Sequence, residues 1–373
     1  MNRYQNKIIH ILHVVPGLLP GGMELTMARV ISGLTCPTMR HSIAALKDQP
    51  EIAPFLPKQT QIFCLHARPN EPQLPFRLAG LLRRIRPDVI HARNWGAWPD
   101  ITLARMLVRP MIPLILSFHG LGQANFMPLR RRWASYFLAR TADLLFTVSA
   151  DSKKLLVSRW GWPEGKVGVI PNGLDTDVFR PAERPAINQR MVVGTVGNLR
   201  AVKNHALLIR AGAEIVRQGS DMELRIAGEG QERKKLLDLA RSLGFDNRLQ
   251  LPGYVDDVPG FLRGLDIFVL PSDSEQHPNA LAEAMACGIA SIATDVGAVS
   301  EMLDHGKCGR IIPAGHLEEL ITSLRDIMAQ PNLRREYAHA ARQRICSRYS
   351  LQKMLTNYEN MYCALAGKKG SAR

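Results

Sequence analysis

Residues 266–294 read DIFVLPSDSEQHPNALAEAMACGIASIAT. Two short apolar runs, 266–270 and 290–294, bracket a polar loop and the helical pattern Ala280-Leu281-Ala282-Glu283-Ala284-Met285. Strand, helix and strand in this order form the repeating unit of a parallel sheet covered by helices. The alternation extends outward in both directions. Further strands are expected at 7–15, 41–46, 61–65, 88–91, 113–118, 143–148 and 167–170, and the pattern restarts at 191–196, 222–227, 248–251 and 309–312. Between the halves, PNGLDTDVFRPAERPAINQR (171–190) carries three prolines and no apolar period, so it reads as a linker. The simplest architecture is α/β, with two doubly wound domains facing a cleft. A last helical stretch, 333–366, is long enough to cross back to the first domain.

The 373 residues suit two domains. With 46% apolar and 22% charged residues, disorder, collagen and coiled coil are excluded as the main architecture. Lys and Arg number 48 against 33 Asp and Glu, a formal charge of +15. Residues 1–170 hold 22 of the cations and only 9 of the anions. Such an excess invites nucleic acid, an anionic membrane surface or a phosphorylated substrate. The six cysteines form no CxxC pair, so reduced thiols in a cytoplasmic protein are expected. His10 and His13 break the N-terminal apolar run, which argues against a signal peptide. No apolar run reaches 18 residues, so any membrane contact is expected to be peripheral. Arg130-Arg131-Arg132 and Arg140 flank Leu129, Trp133, Tyr136 and Phe137, four residues that share one helical face. That pattern fits an interfacial helix or a core-facing helix with a solvated basic back.

Three stretches carry chemistry. Pro16-Gly17-Leu18-Leu19-Pro20-Gly21-Gly22-Met23-Glu24 follows the first strand, where paired glycines let backbone approach a phosphate or sugar phosphate at a helix N-terminus. Gly197-Asn198-Leu199-Arg200-Ala201-Val202-Lys203-Asn204 places two cations three apart, suited to clamp a diphosphate or merely to sit on a surface helix start. In Ser274–Glu283, Glu275 and Glu283 enclose seven residues, and Asn279 is the expected N-cap. Both carboxylates can face the strand ends where open α/β sheets bind ligands. Asp175-Thr176-Asp177 has the letters of a metal motif but lies in the linker and reads as turn chemistry. No metal cluster and no cofactor are expected. A hydrolase-type carboxylate pair would leave Arg200 and Lys203 unused.

Glu-x7-Glu followed by AMACGIASIATDVGAVSEML resembles the C-terminal signature of retaining GT-B glycosyltransferases of family 4, the group 1 glycosyl transferases, in their bacterial polysaccharide and glycolipid type. The Gly-Gly-x-Glu turn, His119-Gly120, FTVSADSKKLL, VIPNGLDTDVFRP, GNLRAVKN, IAGEG and PGYVDDVPGFLRGLDIFVLPS match in order, so the resemblance spans residues 8 to 345. It implies an N-terminal acceptor domain, 1–171, completed by a crossover helix at about 350–366. A donor domain would occupy 172–349. By the same resemblance Arg200 and Lys203 bind the donor diphosphate and Glu283 the ribose. Glu275 and His119 would touch the donor sugar, and Gly22 the donor phosphate or acceptor. Tyr254 and Val255 correspond to the base strip, and Asn279, Ala280 and Leu281 to the phosphate-binding helix start. The family commonly has Glu-Gly-Phe where this chain has Glu275-Gln276-His277, so the donor sugar is not read from commoner members; His277 itself reads as a pocket residue or a solvated loop residue. The implied partners are a UDP- or GDP-linked sugar and a glycan or lipid-linked acceptor at the inner face of the cytoplasmic membrane, with no nucleic acid. Two alternatives stand beside this: a nucleotide-sugar epimerase, against which the Glu-x7-Glu context argues, and a basic nucleic-acid binder, against which 6% aromatics and no recognition motif argue.

Overall fold

The computed structural model describes residues 8–19, 21–47, 51–68, 71–120, 128–183 and 190–370, with backbone alone for 368–370. The chain divides into two compact units, Met1–Pro171 with Lys353–Arg373, and Asn172–Gln352.

The first unit holds seven strands: β1 (Ile9–Val15), β2 (Met39–Ala45), β3 (Gln61–Cys64), β4 (Val89–Arg93), β5 (Leu114–Phe118), β6 (Leu144–Thr147) and β7 (Val167–Val169). All pair parallel, in the order β3-β2-β1-β4-β5-β6-β7. Strands β4 and β5 are buried at every residue, as a parallel sheet covered on both faces requires. The two faces differ in chemistry. Leu12, Val14, Ile90 and Ala92 point into an apolar core with α2 (Leu74–Ile85), α3 (Trp98–Met106), α4 (Leu129–Thr141) and α5 (Ala150–Trp160). The alternate residues, His13, His41, His91, Arg93 and Ser117, are buried on the opposite face. Helix α1 (Gly22–Leu34) covers part of that face.

The second unit holds β8 (Met191–Val196), β9 (Met222–Ala227), β10 (Leu249–Gly253), β11 (Ile267–Leu270), β12 (Ala290–Thr294) and β13 (Arg310–Ile312), all parallel, in the order β10-β9-β8-β11-β12-β13. Helices α6 (His205–Arg217), α7 (Arg233–Ser242) and α11 (Leu317–Ala329) close one core; α8 (Val258–Arg263), α9 (Asn279–Ala286), α10 (Val299–Met302) and α12 (Pro331–Arg348) close the other. In both sheets the strand order reverses beside the first strand, between β1 and β4 and between β8 and β11. Doubly wound sheets bind ligands at this switch point, beyond the carboxyl ends of the strands. Every strand expected from the sequence is present, with ends displaced by at most two residues.

The helical stretch expected at 333–366 consists of two helices, α12 and α13 (Leu351–Gly370), the second spanning the 350–366 at which the resemblance put a crossover helix. The chain leaves the helix because Tyr349 and Leu351 pair with Leu174 instead: Leu174 N–H donates to Tyr349 O (2.8 Å) and Leu351 N–H to Leu174 O (2.7 Å). Helix α13 then completes the first unit. Gly33 of α1 leaves space for Leu355, whose Cδ1 lies 2.4 Å from where a β-carbon would stand.

Candidate active site

The GNLRAVKN turn follows β8, and the loop bearing Glu275 follows β11, its neighbour across the switch point. Asp273 N–H donates to Val202 O (2.9 Å), and Asn204 Nδ2 donates to Asp273 Oδ1 (2.9 Å). Asn204 also caps α6 by accepting from Leu207 N–H, in a left-handed conformation that Asn tolerates. These contacts bring the two loops together. Lys203 Nζ then lies 2.5 Å from Glu275 Oε1, which also accepts from Ser272 Oγ at 2.8 Å. Neither partner is fully buried: the side chains are 28% and 12% exposed. Arg200 is exposed and, among the described residues, makes no ion pair. The two cations expected to act as a pair therefore sit differently, one held by a carboxylate and one free in solvent.

Gly228, at φ +141°, lies against this turn: a β-carbon there would stand 2.0 Å from Gly197 O. Only glycine lets the IAGEG loop and the GNLRAVKN turn stack so closely. Gly228 N–H in turn donates to Gly253 O (2.7 Å), which fixes the start of the exposed Tyr254 and half-buried Val255 beyond β10. Glu275 is backed by Gly297, at φ +57°, whose β-carbon would meet Glu275 O at 2.3 Å.

The start of α9 corrects the sequence reading. Pro278, not Asn279, occupies the N-cap position, with its carbonyl accepting from Ala282 N–H. Asn279 is the first helical residue, and its Oδ1 accepts from Asn172 Nδ2 at 3.3 Å. Pro278 supplies no side-chain cap to the Asn279, Ala280 and Leu281 amides that open the helix. With the helix starting at Asn279, Glu283 is its fifth residue, half-buried and just past the first turn in which the sequence placed it. His277 is not a solvated loop residue. It is buried, packs at a tilt against Tyr349 (5.5 Å between centroids), and neither ring nitrogen has a partner among the described residues. Burial pushes its pKa down to about 4. Asp175 behaves as turn chemistry, accepting from the Asp177 and Val178 amides.

In the first unit, Gly22 opens α1 behind an extended, uncapped Gly21. Burial raises the pKa of Glu24 in the same turn. His119 follows β5; its N–H donates to Asn94 Oδ1 (2.7 Å) and its Nε2 lies 3.0 Å from Ser117 Oγ and 3.3 Å from Arg93 Nη1. Burial, then the Arg93 charge, holds its pKa well below the usual histidine value. Sequence reading missed Arg93 and Ser117. Their signal was the period-two spacing His91-x-Arg93 and Ser117-x-His119 on adjacent strands, which places all four on one face.

Residues 20–178 match the model of Glycosyltransferase Family 4, and residues 180–344 match that of Glycosyl transferases group 1. The glycogen synthase of Mycobacterium tuberculosis is 28% identical over 304 residues, 80% of this chain and 73% of its own length. A glycosyltransferase from Rickettsia africae superposes with a TM-score of 0.83 at 18% identity, covering 96% of this chain and 98% of that one. Anabaena Alr3699/HepE, solved with UDP, gives 0.82 at 20% identity, covering 95% and 100%. The two parallel sheets with their flanking helices are thus the GT-B fold, and the protein is a glycosyltransferase. Within that class the chain belongs to the group 1 glycosyltransferases of family 4.

Proposed function

We propose that this protein transfers a sugar from a UDP- or GDP-linked donor to a glycan or lipid-linked acceptor, with retention of anomeric configuration. The observation that carries the reading is the cluster at the switch point of the second sheet: Arg200, Lys203 on Glu275, and the uncapped start of α9. A departing nucleoside diphosphate gains negative charge as the glycosidic bond breaks. A guanidinium, an ammonium and free helix amides at one place oppose that charge where it develops. In a retaining front-face displacement the diphosphate oxygen takes the acceptor proton, so no separate base is required. Glu275 holds Lys203 in position and offers its second oxygen to sugar hydroxyls; Glu283 accepts from ribose hydroxyls. The solved UDP complex of Anabaena HepE supports a uridine nucleotide as the first donor to test. Protein cations supply the neutralisation, so turnover is expected to persist in excess chelator.

The acceptor side is read from α4. Leu129, Trp133 and Phe137 are 66%, 65% and 61% exposed, and the helix buries only Ser135 and Ala139. Tyr136 departs from the stripe, turned against Gly161 with Arg140 over its ring at 3.4 Å. An outward apolar ridge beside Arg130, Arg131 and Arg132 suits an anionic lipid surface and peripheral residence at the inner face of the cytoplasmic membrane. The test is a melting screen against UDP, GDP and ADP, followed by NMR of the product formed from the stabilising nucleotide's sugar. A ligand at 100 times its Kd stabilises by about 2.7 kcal/mol. No shift with any nucleotide, or a product of inverted configuration, overturns the reading.

A further inference from the structure

On the polar face of the first sheet, a chain of side chains runs from α13 to His119. Tyr362 OH lies 2.8 Å from His91 Nδ1, His91 Nε2 lies 2.9 Å from Ser117 Oγ, and Ser117 Oγ lies 3.0 Å from His119 Nε2. Tyr362, His91 and Ser117 are fully buried. Arg93, equally buried, reaches His119 Nε2 with Nη1 and packs its guanidinium 5.8 Å from the Tyr358 ring.

The direction of this chain is decided at Arg93. A guanidinium only donates. His119 Nε2 is therefore an acceptor, and a neutral His119 must carry its proton on Nδ1. Ser117 Oγ then accepts from His91 Nε2–H, and its own proton has the Ala92 carbonyl at 3.5 Å as acceptor or shares the single Nε2 lone pair with Arg93. That leaves His91 Nδ1 to accept the Tyr362 hydroxyl. Each donor meets an acceptor along the whole path, and the reverse polarity would set two donors against each other at Arg93. Burial and the nearby Arg93 charge disfavour the protonated form of both histidines. His119 Nδ1 is buried and has no partner among the described residues.

We infer that Arg93, Ser117, His91 and Tyr362 are positioning residues that fix His119 as the neutral tautomer protonated on Nδ1, so that it presents an N–H donor to a ligand oxygen. The hydrogen-bond chemistry suits a sugar hydroxyl or ring oxygen, which takes a neutral donor without demanding a counter-charge. The functional half of this inference rests on the proposed glycosyl transfer and on the family resemblance, which implies that His119 touches the donor sugar; the tautomer does not. Helix α13 thereby contributes to the site through Tyr362, although it lies at the far end of the sequence.

The experiment is long-range 1H–15N NMR on the full chain labelled with [15N]histidine at pH 7.5, with His119 assigned by loss of its signals in His119→Gln. The expected spectrum shows a pyridine-type shift at His119 Nε2 and a pyrrole-type shift at Nδ1. Tyr362→Phe keeps the ring that fills the core and removes the head of the chain. It should shift the His91 pattern, move His119 toward tautomer averaging and lower kcat several-fold with little change in donor KM. Arg93→Met should do the same more strongly. A His119 protonated on Nε2, an imidazolium, or shifts unchanged in Tyr362→Phe would overturn the inference. If the tautomer is as expected but His119→Gln turns over normally, the hydrogen-bond chain stands and the placing of His119 at the sugar falls.

Discussion

At the residue scale, the second unit turns on Lys203. Its ammonium is close to Glu275 and partly open to solvent, so it can serve a diphosphate without leaving a buried charge unpaired. Lys203→Ala and Arg200→Ala should each cost about 2–4 kcal/mol of transition-state stabilisation, roughly 30- to 1000-fold in kcat/KM. Their melting temperatures should match wild type; near-normal turnover in both would remove the clamp. His277 offers a second prediction. Its folded pKa is about 4 against 6.5. Below pH 6.5 the unfolded chain takes up a proton that the folded ring refuses. His277 therefore subtracts stability progressively as pH falls from 6.5 toward 4, by about 3 kcal/mol at the low end. His277→Phe should flatten that decline and, by removing unpartnered ring nitrogens, should not lower stability at pH 7. Melting curves at pH 7, 6 and 5 check this, and parallel declines in the two proteins would refute it. The charged and glycine motifs that build this site were legible because their chemistry lies in local spacing. The burial of His277 was not, because it depends on Tyr349, 72 positions away in the sequence.

At the element scale, strands were legible because apolar residues recur along each of them, continuously in β11, at alternate positions in β9 and around His10 and His13 in β1, and two such segments in sequence announce a helix between them. The break between α12 and α13 left only a weak local mark, a serine at 350 in the position of an N-cap; the bridge to Leu174 is what turns the chain there. The N-cap of α9 was misread for a similar reason, since Asn279 has the right chemistry but Pro278 already holds the extended backbone that a cap needs. Helix α13 invites a direct test. It buries Met354, Leu355, Tyr358, Met361, Tyr362 and Leu365. At about 2 kcal/mol for each buried side chain, their loss comes to about 12 kcal/mol, as large as the whole stability of a typical domain. A chain ending at Ser350 should therefore lose the first unit while the second, with its own two cores, keeps its fold. Hydrogen exchange should show β1 and β4 amides unprotected and β8 and β11 amides protected. Full protection of β1 in the shortened chain would show that α13 is dispensable.

At the scale of the whole molecule, charge is divided as sharply as fold. Residues 1–171 with 353–373 carry 26 Lys and Arg against 10 Asp and Glu, a net of +16; residues 172–352 carry 22 against 23, a net of −1. The helix that returns to the first unit thus adds to its excess. The unit holding the diphosphate cluster is close to neutral, so the donor does not explain the +15 of the chain. The lipid-linked acceptor in an anionic leaflet that we propose would explain it. Each Lys or Arg near such a surface contributes about 1 kcal/mol, decaying within a Debye length. Arg130, Arg131 and Arg132 together would supply about 3 kcal/mol, roughly a hundredfold in partitioning, and Leu129, Trp133 and Phe137 already face outward. None of the described helices is long and apolar enough to cross a membrane. Co-sedimentation with vesicles of rising anionic lipid content should therefore show binding that grows with lipid charge and falls with salt. Replacing the three arginines with glutamine should lower it sharply, and Trp133→Ala should weaken the salt-resistant part. Wild-type protein that ignores anionic vesicles at low salt would point instead to a soluble acceptor, with the basic unit serving a phosphorylated substrate.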